Sequence, residues 1–149
     1  NIVDDLTING KKMGIKIIAK KVTKNSIQNE SFDNIINQTE AMIIISDPLF
    51  LSDEKVVKNL FTLSKQNKKP IFAYHELFIK YGAVLITSLD NPTIGRQIAT
   101  MIQSDINKDK IIKIQYPAGT KVIFNKKTVE QMEIKFSNNI SFIANKVIE

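Results

Sequence analysis

Apolar runs separated by polar and turn-forming residues divide the chain into alternating strands and helices. The runs Met42–Ile45, Ile71–Ala73 and Val84–Ile86 contain no polar alternation. They predict strands buried on both faces, which is typical of a parallel sheet covered by helices. The β-branched run Ile15–Ala19 predicts a further buried strand, and Val122–Phe124 predicts a fifth.

Apolar residues at helical spacing, together with start and stop residues, predict helices between these strands. The predicted helices cover Ile2–Met13, Phe32–Asn37, a segment opened by a capping Ser52 and broken at Lys68, the turn His75–Tyr81 closed by Gly82, Asp90 to Ile106, Lys127–Met132 and Asn138–Ile148. Because strands and helices alternate, we expect an α/β fold, a three-layer sandwich whose sheet is mainly parallel with right-handed crossovers.

The composition is that of a folded, soluble domain. Apolar residues make up 43% of the 149 residues and charged residues 24%, which excludes a disordered tail or a fibre. With 0 Cys, the chain has no disulfide framework, thiolate metal site or cysteine nucleophile. No apolar run approaches the roughly 18 residues needed to cross a bilayer, and the polar first residues predict that this chain carries no signal peptide.

The net charge of +6 comes from one lysine-rich stretch, residues 6–29, which contains no acidic residue. Its lysines are Lys11, Lys12, Lys16, Lys20, Lys21 and Lys24. Recognition of phosphates and bases draws on arginine and on stacked aromatic rings, and neither occurs among these lysines. We therefore predict a solvated lysine face and no nucleic-acid partner.

Sequence patterns of catalysis are absent. The chain has no nucleophile elbow, no phosphate-binding glycine loop and no glycines at dinucleotide spacing. Its single histidine, His75, cannot form a two-histidine metal site, and we expect it to cap a helix or to face a pocket. The sequence therefore predicts a protein that is not an enzyme, with no catalytic residues, no metal and no cofactor.

Polar and aromatic side chains follow three of the predicted strands. These residues are Ser46 and Asp47, Tyr74 and His75, and Leu89 and Asp90. In an open α/β sheet, ligands bind outside the carboxyl ends of the strands, so the six residues form the candidate ligand site. Ser and Asp also cap helices. Spacing alone leaves ligand binding and helix capping equally open for Ser46, Asp47 and Asp90.

The order of several segments resembles one known family. The segments are Ala41–Pro48 (AMIIISDP), Lys69–Tyr74 (KPIFAY), Tyr81–Ala83 (YGA), Gly95-Arg96-Gln97 with the helix after it, and the closing stretch Val122–Glu149. This order resembles the ABC-transporter substrate-binding proteins of the periplasmic type I fold, in the branch that includes tryptophan and tyrosine binders. The resemblance extends from about Gly14 to Glu149.

The resemblance implies a protein in which two lobes close on a small solute and present it to an ABC permease. It covers the carboxyl-terminal lobe, so we expect residues 1–116 to form that lobe and residues 117–149 to form a hinge-crossing tail packed on a first lobe or a neighbour. It also implies an extracytoplasmic location, periplasmic or anchored at the cell surface as a lipoprotein. The alternative is an extracytoplasmic ligand-sensing domain of a signalling protein.

Position by position, Ser46 and Asp47 match the hydroxyl and acid after the family's strand, and Asp90 matches the acid before its Gly-Arg-Gln helix. Tyr74 and His75 depart from the small or polar residues usual there, which leaves the solute's identity open. If the solute is an amino acid, Asp47 or Asp90 is expected to pair with its ammonium. The strand that opens this lobe in the family would precede Asn1, so a second copy completing the sheet as a homodimer is a further expectation.

Overall fold

A five-stranded sheet, in the order β1-β2-β3-β4-β5, forms the middle layer of the computed structural model. The structure describes residues 1–21, 23, 32–106, 114–137 and 139–149. The strands are β1 (Met42–Ile43), β2 (Ile71–Ala73), β3 (Leu85–Leu89), β4 (Thr120–Asn125) and β5 (Lys146–Ile148). Three neighbouring pairs are parallel, and only β3 and β4 are antiparallel. The predicted α/β fold with a mainly parallel sheet is confirmed.

Seven α-helices and one 3-10 helix connect and flank the described strands. They are α1 (Ile2–Lys12), α2 (Asp33–Asn37), α3 (Pro48–Leu51), α4 (Glu54–Gln66), the 3-10 helix (Glu76–Tyr81), α5 (Asn91–Ile106), α6 (Lys126–Gln131) and α7 (Ile140–Ile143). The cap of α4 is Asp53, whose side chain accepts from the Lys55 amide at 2.8 Å, so the prediction of Ser52 as the cap was wrong. Gly82 closes the 3-10 helix as predicted, with a φ of 102° that favours glycine.

Alternate residues of the strands point into two apolar clusters. Ile71, Ala73 and Ile86 belong to the larger cluster, which also contains the apolar face of α4. Phe72, Leu85 and Phe124 belong to the second cluster, with residues of α6 and α7. Packing on both clusters fixes the strand register, because a slip of one residue would exchange the two sets of side chains.

Residues 15–19 do not form a strand, so that prediction was wrong. After Gly14, with a φ of 72°, the chain folds back on α1, and the Ile15 amide donates to the carbonyl of Gly10 at 2.8 Å. Ile15 is 52% and Ile18 38% exposed. A β-branched sequence forms a strand only where a neighbouring strand supplies its hydrogen-bond partners, and none of the described strands pairs with this segment.

The predicted helix Asn138–Ile148 was wrong in its second half. Among the described residues of this range only Ile140–Ile143 is helical, and Ala144 is extended with a ψ of 132°. Asn138 lies outside the described residues. Lys146–Ile148 forms β5, parallel to β4, with Ile123 opposite Lys146 and Asn125 opposite Ile148. Val147 and Ile148 are β-branched and favour a strand, which forms here because the edge of β4 is free to pair with it.

The segment after residue 117 contributes β4 and β5 to the same sheet as the rest of the chain. Its packing on a first lobe or a neighbour stays a prediction. The described lysines of the basic stretch, from Lys11 to Lys21, are exposed, and Lys24 lies outside the described residues. None of the described helices is both long and apolar enough to cross a membrane.

Candidate functional site

The carboxyl ends of β1, β2 and β3 lie at one edge of the sheet because the three strands are parallel and in register. Ile43 is opposite Phe72, and Phe72 is opposite Leu85. Five of the six predicted site residues follow these strand ends, and Leu89 is the last residue of β3. We call the set Ser46, Asp47, Tyr74, His75, Leu89 and Asp90 the carboxyl-end rim.

Ser46 and Asp47 follow β1. Oδ1 of Asp47 accepts a hydrogen bond from the Phe50 amide at 3.2 Å, so Asp47 caps the short helix α3. Asp47 is half-buried, whereas the side chain of Ser46 is exposed. The capping interpretation therefore holds for Asp47, and Ser46 faces solvent at the rim.

Tyr74 and His75 follow β2 and differ in exposure. Nδ1 of His75 accepts from the Leu77 amide at 3.1 Å, so this exposed histidine caps the 3-10 helix, as predicted. Tyr74 is half-buried, and its ring lies edge-on to Phe78 at 5.5 Å between centroids. Phe78 thereby holds the Tyr74 ring at the rim.

Leu89 is the last residue of β3, and Asp90 follows it. Two hydrogen bonds hold Asp90, one through its backbone and one through its side chain. Its amide donates to the Gly119 carbonyl at 3.1 Å, and its Oδ2 accepts from the Thr93 hydroxyl. Thr93 Oγ1 in turn accepts from Arg96 at 2.8 Å. Asp90 is half-buried, so these bonds fix the direction of its carboxylate. Leu89, in contrast, is 55% exposed.

Gln97 ties α5 to the segment before β4, a contact that the sequence analysis missed. Its Nε2 donates to the Tyr116 carbonyl at 2.9 Å, and its Oε1 accepts from the Ala118 amide at 2.8 Å. The Gln97 side chain therefore hydrogen-bonds to both a carbonyl and an amide of the irregular segment before β4. These two hydrogen bonds hold the segment that ends at Gly119, whose carbonyl accepts from the Asp90 amide.

A second group of polar side chains missed by the sequence analysis lies beside the rim. Lys121 Nζ donates to Glu76 Oε1 at 2.7 Å, and this hydrogen bond holds the pKa of Glu76 below its usual value. Ser88 is opposite Lys121 across β3 and β4, so both side chains lie on one face of the sheet. The Ser88 hydroxyl is buried and has no hydrogen-bond partner within the described part of the chain. The alternation in β3 was the only feature of the sequence that pointed to Ser88 being buried.

The rim carries groups of the kind that bind small polar solutes. A carboxylate accepts several hydrogen bonds, so Asp90 can serve Thr93 and a further donor together. The half-buried ring of Tyr74 adds an apolar surface at the same edge of the sheet. Among the described residues no group of three or more His, Asp or Glu side chains is arranged to hold a metal ion.

A mainly parallel sheet with polar loops at its carboxyl edge is the arrangement in which α/β domains place their ligand sites. A family model, ABC transporter substrate binding protein, matches residues 2–148. The chain belongs to this family, which is one of binding proteins and not of enzymes. Among curated proteins, no sequence matches significantly.

Solved structures support the same fold at low sequence identity. A conserved domain protein from Vibrio cholerae is similar with a TM-score of 0.72 and 19% identity, over 98% of this chain and 49% of that one. An ABC domain from Streptococcus pneumoniae in complex with L-Trp is similar with a TM-score of 0.71 and 18% identity, over 99% of this chain and 51% of that one. A ligand-free, open substrate-binding protein with adhesive properties from Clostridium difficile is similar with a TM-score of 0.70 and 19% identity, over 98% of this chain and 48% of that one. The chain thus spans about half the length of each.

The close approach at Gly119 gives a testable prediction. A Cβ added there would lie 2.8 Å from Thr93 Cβ and 3.2 Å from Asp90 Cβ, closer than ordinary contact. We expect Gly119→Ala to lower the free energy of unfolding by about 1–3 kcal/mol, as overpacking typically does. Chemical denaturation measures this loss.

Gly95→Ala in α5 is the matched control. Nothing lies within 4 Å of the added Cβ, and alanine favours a helix by about 0.8–1.0 kcal/mol over glycine. This variant should therefore be as stable as the wild type or more stable. Equal stabilities for the two alanine variants would show that the contact at Gly119 is not tight.

Proposed function

We propose that this chain is one lobe of a solute-binding protein of an ABC import system, which binds an amino acid at the carboxyl-end rim. The observation that carries the proposal is the position of Asp90, a half-buried and firmly held carboxylate at the carboxyl edge of the sheet, in a chain of the substrate-binding family. Family membership supports a small-molecule ligand and a permease partner.

Asp90 is the rim residue best suited to an ammonium group. Its Oδ2 is engaged by Thr93, while its Oδ1 has no hydrogen-bond partner among the described residues. A charge-assisted hydrogen bond from an ammonium would satisfy this oxygen. Asp47 lies on the same edge and adds a second negative charge that favours a cationic group.

Tyr74 is proposed to contact the side chain of the solute. Its ring is held from behind by Phe78, so a solute that packs on it does not have to order it first. The Streptococcus pneumoniae neighbour is a complex with L-Trp. An aromatic or other apolar amino acid is therefore the class of solute that we propose first.

A second lobe would complete the site. The solved structures that resemble this chain are about twice its length. We propose that a first lobe closes over the rim, that the segment from residue 117 links or contacts it, and that the protein works outside the cytoplasm, where a binding protein meets its solute. Closure excludes water, which strengthens the ion pair at Asp90.

A thermal-shift screen tests the proposed function on the protein as its gene encodes it. The probes are the twenty common L-amino acids, each in excess. A ligand at about 100 times its dissociation constant adds about 2.7 kcal/mol of stability, which gives a clear rise in Tm. A rise with one or a few amino acids is the expected result, and no rise with any of them would contradict the amino-acid proposal.

We also propose that this chain forms a homodimer through the outer edge of β1. Strand β1 ends the described sheet, and Ile43 on it is 52% exposed. An open apolar strand edge favours pairing with another chain. Light scattering after size exclusion should give twice the mass of one chain for the wild type. Ile43→Lys should give a monomer. The control Leu77→Lys, at another exposed apolar position, should stay dimeric. A monomeric wild type at high concentration would contradict the dimer.

A further inference from the structure

A concavity of about 370 Å³ lies at the edge of the sheet opposite the carboxyl-end rim. Gly82, before β3, and Asn125, at the end of β4, both line it, and β4 is antiparallel to β3. The concavity is therefore at the amino end of β3. We call it the basic concavity, after the three lysines Lys65, Lys80 and Lys127 in its lining.

None of these three lysines forms a salt bridge with another described residue. Lys65 Nζ donates to the side-chain carbonyl of Gln131 at 3.0 Å, and Lys80 Nζ lies 4.7 Å from the centroid of the Tyr81 ring. Interaction with Tyr81 raises the pKa of Lys80. Lys127 is exposed. Three lysines that are not paired with carboxylates therefore line one concavity.

The acidic residues of this part of the surface are bound to other lysines. Glu133 pairs with Lys68, and Lys126 pairs with Glu149 at 2.8 Å and Glu130 at 3.9 Å. None of these five residues lines the concavity. Glu54 accepts from the Tyr81 hydroxyl at 2.9 Å and pairs with Lys58 at 3.3 Å. Glu54 also interacts with Lys80. The lining itself contains three lysines and no carboxylate, so its charge is positive.

Asn125 adds a side-chain donor to the lining. It is 4% exposed, and its Oδ1 accepts from the Thr128 amide at 3.1 Å, which caps α6. Its side-chain NH₂ group has no hydrogen-bond partner in the described ranges. Because Ser88 Oγ is the only fully buried polar side-chain atom without a partner among the described residues, the Asn125 NH₂ group is accessible, and an acceptor bound in the concavity can reach it.

We propose that the basic concavity is a second binding site, for a compact multivalent oxyanion of the phosphate class. Three ammonium groups and the Asn125 amide offer only donors, which suits phosphate oxygens and excludes cations. Phe61 and Met132, both buried, form an apolar part of the wall. The site is on the edge of the sheet away from the rim and does not depend on solute binding there. The phosphate can belong to a free solute or to a lipid headgroup.

Calorimetric titration with pyrophosphate tests the site, and Asn125→Asp is the decisive variant. Aspartate keeps an oxygen to cap α6 but replaces the free donor with negative charge. We expect the affinity for pyrophosphate to fall by about tenfold or more, with Tm retained. Lys127→Met should also weaken binding, whereas the control Lys55→Met, which removes one exposed lysine outside the concavity, should not.

Vesicles distinguish the two sources of phosphate. Binding to phosphatidate vesicles but not to phosphatidylcholine vesicles, lost in Asn125→Asp, supports the site and assigns it to a headgroup. Binding of pyrophosphate without vesicle binding supports the site and assigns it to a free solute. Absence of both, or affinities equal in the wild type and in Asn125→Asp, would overturn the proposal, since attraction to surface lysines alone would not involve Asn125.

Discussion

Replacing Phe78 with alanine is expected to lower the free energy of unfolding by about 3–5 kcal/mol, the usual cost of removing a buried aromatic side chain. Phe78 is 1% exposed and belongs to the larger apolar cluster. Its ring lies 6.0 Å from that of Phe61 and 5.5 Å from that of Tyr74. The Tyr81 ring lies 6.5 Å away on the same 3-10 helix. Alanine would leave a cavity that these three aromatic neighbours cannot fill together.

Urea denaturation measures this loss, with Leu77→Ala as the matched control. Leu77 is the preceding residue of the same 3-10 helix and is 50% exposed, so its loss should change stability by about 0.5 kcal/mol or less. Since Phe78 supports Tyr74, the alanine variant should also bind solute less well at temperatures where it is folded. Similar stabilities for both variants would mean that Phe78 is not the centre of this packing.

Asp90→Asn is expected to weaken solute binding by about 10- to 100-fold, because it removes the charge from an ion pair in a closed cleft. Asparagine keeps an acceptor for the Thr93 hydroxyl and the backbone bond to Gly119, so the free energy of unfolding should change little. Calorimetry with the amino acid found in the screen measures the affinity.

Asp5→Asn, on the exposed face of α1, is the charge-matched control and should leave the affinity unchanged. Asp47→Asn tests the second rim carboxylate in the same way. Wild-type affinity in both Asp47→Asn and Asp90→Asn would end the ion-pair proposal. It would leave Asp47 as the cap of α3 and Asp90 as an acceptor for the Thr93 hydroxyl.

The sequence predicted strands well where packing on both faces required them. Ile71 and Ala73 are buried in the larger cluster, and Phe72 between them packs into the second, as an unbroken apolar run predicts. The same pattern failed at residues 15–19, because a strand also needs a partner at its edge and periodicity contains no information about neighbours. At Lys146–Ile148, where a helix was predicted, β4 supplies the neighbouring edge and a strand forms instead.

The location of the candidate site was predictable, but its contacts were not. Parallel strands bring their carboxyl ends to one edge, so Asp47, Tyr74 and Asp90 could be grouped from their positions after strands. The partners that hold the edge together are distant in sequence. Gln97 reaches Tyr116 across 19 residues, and Lys121 reaches Glu76 across 45. Only the tertiary fold brings such pairs into contact.

An NMR titration of the isotopically labelled protein tests most directly whether solute binds at the carboxyl-end rim. The probe is the amino acid that raises Tm most in the screen. We predict that the backbone amide signals of Tyr74, His75 and Asp90 shift with increasing ligand, while those of Asn125 and Lys127 at the opposite edge do not. Shifts confined to residues away from the rim, or no shift with any of the twenty amino acids, would contradict the account.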